Sequence, residues 1–227
     1  MPRMSVAIYQ AVIATVFLTG LADRVVAATA SDAEAGYTQE ITKRADKIVG
    51  SLGITDDAQK ARARDLIVQQ YRTLREIHGA RDARIAETKQ GSSDPTVAEG
   101  WKKVARDEAS LKLTDAHRRF VARLSVELTP EQMDRVKDGM TYGVVGITYK
   151  RYLELFPNLK DEEKREILAD LTEAREYAMD AGKSEEKHAV FGKYKGRINN
   201  YLSKAGYDMK QAEKNLAEKE KTASRSR

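Results

Sequence analysis

The chain has 227 residues, of which 33% are charged and 41% hydrophobic, and its net charge is +5 at pH 7. This composition is typical of a globular protein with a charged surface and excludes a largely disordered chain. The chain has no cysteine, which excludes disulfides, thiol catalysis, cysteine zinc sites and a lipid anchor on cysteine.

The N-terminus has the three parts of an export signal. Arg3 supplies a positive charge, an apolar run covers residues 6–18, and residues 28–30 form an Ala-Thr-Ala cleavage motif. We expect residues 1–30 to be a signal peptide cleaved near Ala30, and the mature protein to be periplasmic or secreted. The alternatives are a retained membrane anchor and a chance apolar start, although the run is short for a membrane span.

Three helices are predicted before residue 128. A short one covers residues 38–50, and a long one covers residues 55–88 with Thr55 as its expected N-cap. The loop GSSDP at residues 91–95 precedes the third, for which Asp94 is the expected N-cap and the proline lies in the first turn. Two long helices joined by a short polar loop predict an antiparallel hairpin.

The segment LTPEQ at residues 128–132 is the clearest helix start in the chain. Thr129 is expected to cap the helix, Pro130 to occupy its first position and Gln132 to close a capping box. We expect this helix to extend to about Asp138.

The remaining chain predicts further helices and a charged tail. Glycines at 139, 143 and 146 interrupt the first part, and Val144-Val145 between them is the only strand-like fragment. Helices are predicted over residues 147–156, 161–181 and from 184 onward. Residues 208–227 are charged, so we expect a fraying helix and tail there. The pattern predicts an all-α, single-domain bundle of six or seven helices over residues 31–207, without substantial sheet.

Residues typical of enzymes are sparse. The three histidines, at 78, 117 and 188, lack metal-binding spacing, and there is no nucleophile elbow, phosphate-binding loop or dinucleotide fingerprint. His117 shares a helix face with Phe120 and Leu124, so we interpret it as a hydrogen-bonded core residue. We predict no catalytic residue, no metal site and no cofactor, and the sequence favours a binding protein over an enzyme.

Most aromatic residues lie between residues 142 and 207, beside lysine, arginine and asparagine. Gly192 and Gly196 flatten one face of the last predicted helix, so a ligand can approach its backbone closely. Cationic and amide donors beside aromatic rings suit sugar hydroxyls and carboxylates. The alternative is that these polar groups cap or salt-bridge the neighbouring helix. The predicted pocket lies where the glycine-broken turn meets the last helix, and it is lined by Tyr142, Tyr149, Lys150, His188, Lys195, Arg197 and Asn199.

Four stretches carry a resemblance to a known family: LTPEQMDRVKDGMTYG from residue 128, ITYKRYLELFPNL from 147, EAREYAMDAG from 173 and KYKGRINNYLSKAGYD from 193. They resemble a bacterial domain of unknown function in secreted helical proteins of organisms that degrade plant polysaccharides, pectin in particular. Sugar binding is attributed to that family. The resemblance therefore implies a carbohydrate-binding accessory protein whose ligand is an acidic, uronate-containing oligosaccharide. It implies no residue roles.

A second resemblance leads to a different class of function. Leu128, Thr129 and Gln132 match the LTxxQ motif of small periplasmic helical chaperones and stress adaptors. This similarity implies a protein that binds unfolded chains through a concave basic face, although a capping box explains the same residues. The small basic excess selects neither nucleic acid nor membrane as partner, so we expect no nucleic acid and no stable membrane insertion after signal cleavage. The oligomeric state is left open.

Overall fold

The computed structural model describes residues 32–91 and 94–225. The predicted signal peptide and its cleavage motif lie outside the described residues. The chain divides into two compact units, Met1–Asp46 and Lys47–Arg227. In the first unit, the described residues 32–46 are helical, and the last turn of that helix, residues 47–50, belongs to the second unit.

The described residues form eight helices and no strand. The all-α prediction is therefore confirmed, with one helix more than the upper predicted count. The first helix, α1, covers residues 32–50. The others are α2 (Asp57–Gly91), α3 (Pro95–Glu127), α4 (Pro130–Met140), α5 (Val144–Leu155), α6 (Asp161–Met179), α7 (Ser184–Lys204) and α8 (Met209–Arg225).

Two of the three predicted helix caps are confirmed. The Asp94 side chain accepts hydrogen bonds from backbone amides at the start of α3, and Thr129 and Gln132 form the capping box of α4. The prediction for α2 was wrong by one residue. Asp56, not Thr55, accepts from the amides of the first turn, with Oδ1 2.8 Å from the amide nitrogen of Ala58. A carboxylate is an equally good N-cap acceptor and also interacts with the helix dipole.

Val144-Val145 is helical, which corrects its interpretation as strand-like. Gly143 adopts a left-handed conformation with φ 66° and reverses the chain, so that α5 begins at Val144. Val145 is then buried in the core as a helical residue. A β-branched pair has no strand partner here, and tertiary packing overrides its intrinsic preference.

The charged segment that the sequence predicts to fray is helical over Met209–Arg225. It packs against α5, where Arg151 donates to the Glu220 carboxylate at 2.7 Å, and Ala212 is buried against the core. The buried Ala212 and the Arg151–Glu220 ion pair thus hold this helix against the core, although it has few large apolar side chains.

α2 and α3 form the predicted antiparallel hairpin. Near the connecting loop Arg84 donates to Glu108 at 2.8 Å, and at the other end Arg62 donates to Glu127 at 2.9 Å. Because residue numbers rise along α2 as they fall along α3, the two helices are antiparallel and in contact along most of their length.

The core of the C-terminal half lies between α5, α6 and α7. Its fully covered members come mainly from α6 and α7, which form a second antiparallel pair. The side chains that fill it include Tyr152, Phe156, Ile167, Leu171, Phe191, Ile198 and Leu202. This packing leaves one flank of α7 facing α5 and the opposite flank facing outward beside α6.

Asp180, just after α6, connects the first hairpin to the α6–α7 turn. Its backbone carbonyl accepts a hydrogen bond from Nε2 of His78 in α2, at 2.7 Å. Its carboxylate lies 3.1 Å from Nδ1 of His117 in α3. The prediction that His117 is hydrogen-bonded and largely buried is confirmed, but its partners are carboxylates.

A network of charges surrounds His117. Nε2 lies 3.4 Å from the Glu176 carboxylate, which also accepts from Lys137 at 2.7 Å. Hydrogen bonds to Asp180 and Glu176 outweigh burial and raise the pKa of His117 to about 9. Burial alone would raise the pKa of Glu176, but hydrogen bonds from His117 and Lys137 lower it to about 2. His117 is therefore an imidazolium at neutral pH.

We predict that stability falls between about pH 6.5 and about pH 9. The pKa of His117 is raised from 6.5 to about 9 by folding, so its contribution is complete below pH 6.5 and is lost as the pH rises through the folded pKa. The loss is on the order of 3 kcal/mol, since one pKa unit corresponds to about 1.4 kcal/mol. Urea denaturation across this pH range measures it.

The test depends on how steeply the free energy of unfolding changes with pH, and not on its value at one pH. His117→Gln should flatten the slope, whereas His188→Gln, which changes an exposed histidine, should leave it intact. An unchanged slope in His117→Gln would show that another group is responsible.

Candidate functional site

The turn between α4 and α5 places Tyr142 at a position that normally requires glycine. The amide of Gly143 donates to the Asp138 carbonyl at 2.8 Å, which is the six-to-one bond of a Schellman motif. Tyr142, at the left-handed position of this motif, has φ 61°. At the end of α7 the same motif recurs, and there the left-handed residue is Gly206, with φ 94°. A side chain in this conformation costs roughly 1–2 kcal/mol.

The Tyr142 side chain does not gain this energy back by burial. It is 49% exposed, and its ring stacks on the exposed imidazole of His188 in the first turns of α7. The ring centroids are 6.0 Å apart and the planes differ by 18°. The result is a two-ring platform on the surface. Strained backbone of this kind clusters at functional sites, where the placement of the side chain is the reason for it.

Two other predicted residues lie on the same flank of α7 as His188. Lys195 follows His188 by seven residues, which is about two turns, so their side chains lie on one face. Lys195 is exposed and forms no ion pair with another described residue. Asn199, one turn farther, accepts a hydrogen bond from the Tyr152 hydroxyl at 2.7 Å. We refer to Tyr142, His188, Lys195 and Asn199 as the Tyr142 face.

Tyr152 is the residue that the sequence analysis missed. Its ring is buried in the core, while its hydroxyl reaches Asn199 and thereby orients the amide on the Tyr142 face. Burial, with the nearby Asp170 carboxylate, raises the pKa of Tyr152 to about 12. It therefore stays a neutral donor at any physiological pH. No local pattern around Tyr152 indicates this bond, because Asn199 lies 47 residues farther along the chain.

Tyr149 and Lys150 of α5 have different surroundings. Tyr149 is partly buried and packs against the core, so its ring face is not available as a surface. The Lys150 side chain is 79% exposed and lies 4.0 Å from the Glu154 carboxylate, one turn along the same helix. Neither residue forms a described contact with the Tyr142 face.

Arg197 lies on the opposite flank of α7. It follows His188 by nine residues, about two and a half turns, and therefore faces away from it. Its guanidinium lies 2.6 Å from the Asp170 carboxylate and 3.1 Å from that of Glu173, both on α6. Asp170 is 2% exposed, and burial raises its pKa although Arg197 opposes the change. Arg197 thus neutralises a buried acid.

A second exposed tyrosine lies near this ion pair. The Tyr177 side chain is 60% exposed and stacks on Tyr194 with ring centroids 6.3 Å apart. The Arg197 guanidinium lies 5.5 Å from the centroid of the Tyr194 ring. The structure therefore brings together Tyr142, His188, Lys195 and Asn199, and it separates them from Arg197.

Other kinds of site find little support in the described part of the chain. No group of three or more histidines and acids is placed there to hold a metal ion. Among residues 32–91 and 94–225, no helix is both long enough and apolar enough to cross a bilayer.

Comparison with known proteins places the chain at the level of a family. No curated protein matches it. Residues 38–222 match the model of a family described as "Protein of unknown function (DUF3826)". The match covers α2 to α7 completely and includes every residue of the Tyr142 face. The chain therefore belongs to this family of proteins of unknown function, DUF3826.

Proposed function

We propose that this protein binds oligosaccharides at the Tyr142 face and acts as an exported carbohydrate-binding accessory protein. The observation that carries the proposal is Tyr142 itself. Its backbone adopts a conformation suited to glycine, and its ring is half exposed. Neither local energetics nor core packing accounts for a tyrosine there, whereas a ligand that stacks on the ring does.

The chemistry of the face suits a sugar. The apolar CH groups on one side of a pyranose ring pack on an aromatic ring, and the His188 imidazole, stacked on Tyr142, holds that ring in place. Lys195 and Asn199 lie farther along α7 and supply an ammonium and an amide that would meet neighbouring units of a bound oligosaccharide. Aromatic area with a few placed polar groups is the usual composition of small-ligand sites.

An acidic sugar is the best-matched ligand. Lys195 forms no ion pair with another described residue, so its charge is available for a uronate carboxylate. It lies roughly 10 Å along α7 from His188, since each helical residue rises 1.5 Å. A carboxylate on a neighbouring sugar unit could reach it while one unit stacks on Tyr142. Arg197 takes no part, because two carboxylates of α6 already bind it.

Export is part of this proposal, and it leads to a prediction about the N-terminus. Protein purified from its native host should begin near Ser31, because residues 28–30 form a signal-peptidase motif after an apolar run. N-terminal sequencing of the protein from each cell fraction tests this. Protein that starts at Met1 in the cytoplasmic fraction would contradict it.

Replacement of Tyr142 by glycine should separate binding from stability. Glycine removes the backbone strain, so we expect Tyr142→Gly to melt at the same temperature as the wild type or up to a few degrees higher. We expect its glycan affinity to fall at least tenfold, because stacking on the ring is lost. A glycan array that contains galacturonate oligomers identifies the ligand, and isothermal titration calorimetry then gives the affinities.

The matched control is Tyr177→Ala, which removes a tyrosine of similar exposure on the other side of α7. It should bind like the wild type, and Lys195→Ala should weaken acidic glycans more than neutral ones. If no glycan binds the wild type, or if Tyr142→Gly binds as well as Tyr177→Ala, the proposal is wrong.

A second candidate function rests on a different surface. α3 carries an exposed apolar stripe at helical spacing, formed by Val97, Trp101, Val104 and Leu111. We infer that a chaperone or adaptor would use this stripe to hold apolar segments of unfolded chains, since large exposed apolar patches mark interaction surfaces.

The stripe can be tested separately from the Tyr142 face. If the protein is a chaperone, it should suppress the aggregation of a denatured client such as reduced insulin, as followed by light scattering. The double change Trp101→Ser and Leu111→Ser should abolish that effect, while Tyr142→Gly should not. Suppression that is equal in the double variant and the wild type would exclude the stripe.

A further inference from the structure

A groove with a largely polar lining lies between α2 and α3. It has a volume of about 220 Å³ and shares no residue with the Tyr142 face. α2 contributes Leu66, Gln69, Gln70 and Thr73, and α3 contributes Ala116, Arg119, Phe120 and Arg123.

Gln70 is the feature that points to a ligand. The residue is 5% exposed, yet its Nε2 atom is fully covered and has no hydrogen-bond partner in the described part of the chain. A buried donor without an acceptor destabilises a protein, and such groups are few in native structures. Gln70 lines the groove, and rotation of its side-chain amide by half a turn would direct Nε2 towards an acceptor bound there.

The charge of the groove indicates which acceptor fits. Arg119 and Arg123 lie one turn apart on α3, and none of the eight lining residues is acidic. Arg119 pairs with Asp115, which lies outside the groove. Arg123 forms no ion pair with any described residue. A like-charge pair at this spacing is slightly unfavourable by itself, so a bound anion would relieve the repulsion.

Part of the remaining wall is apolar, beside the polar side chains of Gln69 and Thr73. Phe120 and Ala116 are almost fully buried, and Leu66 completes the apolar side. An inorganic anion would satisfy the arginines and leave this side unfilled. A planar carboxylate matches the fork of a guanidinium, and an apolar body attached to it would cover Phe120 and Leu66.

We propose that the α2–α3 groove binds a small organic carboxylate. Its oxygens would accept from Arg123 and Gln70, and its apolar part would lie against Phe120. This site is independent of the oligosaccharide proposal, because it uses other helices and a different ligand.

Benzoate is the probe, with benzamide as its neutral isostere and inorganic phosphate as an anion without an apolar part. We expect isothermal titration calorimetry of the full chain to show benzoate binding at least tenfold tighter than either control. Benzoate should also raise the melting temperature. Equal binding of benzamide, or binding of phosphate alone, would overturn the proposal.

Two variants locate the site. Arg123→Gln should reduce benzoate affinity at least tenfold, whereas Arg118→Gln, the same charge change on α3 outside the groove, should not. Gln70→Met removes the unpaired donor with little change in volume. It should melt no lower than the wild type without ligand, and benzoate should no longer raise its melting temperature. If benzoate binds Arg123→Gln and Gln70→Met as tightly as the wild type, it binds elsewhere and the proposal is wrong.

Discussion

Asp180 is the residue on which the arrangement of the helices depends. Its backbone carbonyl accepts from His78 of α2, and its carboxylate binds the imidazolium of His117 of α3. Both bonds hold the first hairpin to the turn between α6 and α7. Gly182 is required beside them, since a Cβ at that position would lie 2.8 Å from the His78 ring. His78, His117 and Gly182 therefore allow the first hairpin to contact the α6–α7 turn closely. Apolar side chains alone would not fix the orientation of this contact.

The same interactions position the candidate site. Beyond His117, Glu176 binds Lys137 of α4, and Arg175 donates to Asp134 and Asp138 at 2.7 and 2.9 Å. The Asp138 carbonyl in turn accepts from Gly143 in the motif that carries Tyr142. Partly buried ion pairs of this kind also select one orientation of the groups that they join. The network therefore determines where α4 ends and where the exposed tyrosine lies.

Two departures from ordinary local structure, both in the described part of the chain, are the basis of the two proposed sites. Tyr142 occupies a position suited to glycine, and Gln70 buries an amide without a hydrogen bond. Most helix caps and ion pairs of the described residues agree with the local structure. Departures from such consistency are expected at functional sites, because function there outweighs local stability. Tyr142 lies in the turn between α4 and α5 and Gln70 lies in α2, so we assign the two departures to different sites and different ligands.

The sequence by itself determined the fold class, most helix boundaries and the cap geometry. These features depend on interactions within a few residues, such as the Thr129–Gln132 capping box and the Asp94 cap, so the local pattern contains them. It also drew attention to the segment that holds Tyr142, because glycines and aromatics are conspicuous there.

Only the tertiary structure decided which side chains meet. The predicted pocket includes both His188 and Arg197, although their nine-residue spacing puts them on opposite flanks of α7, and only the structure shows that Arg197 binds Asp170 and Glu173 of α6. Two further features are contacts between residues far apart along the chain: the Tyr152–Asn199 bond and the ion pairs of His117. A third is the Gln70 amide nitrogen, which is buried without a hydrogen-bond partner. Such contacts depend on how helices pack against one another, and helical spacing alone contains no information about the partner helix.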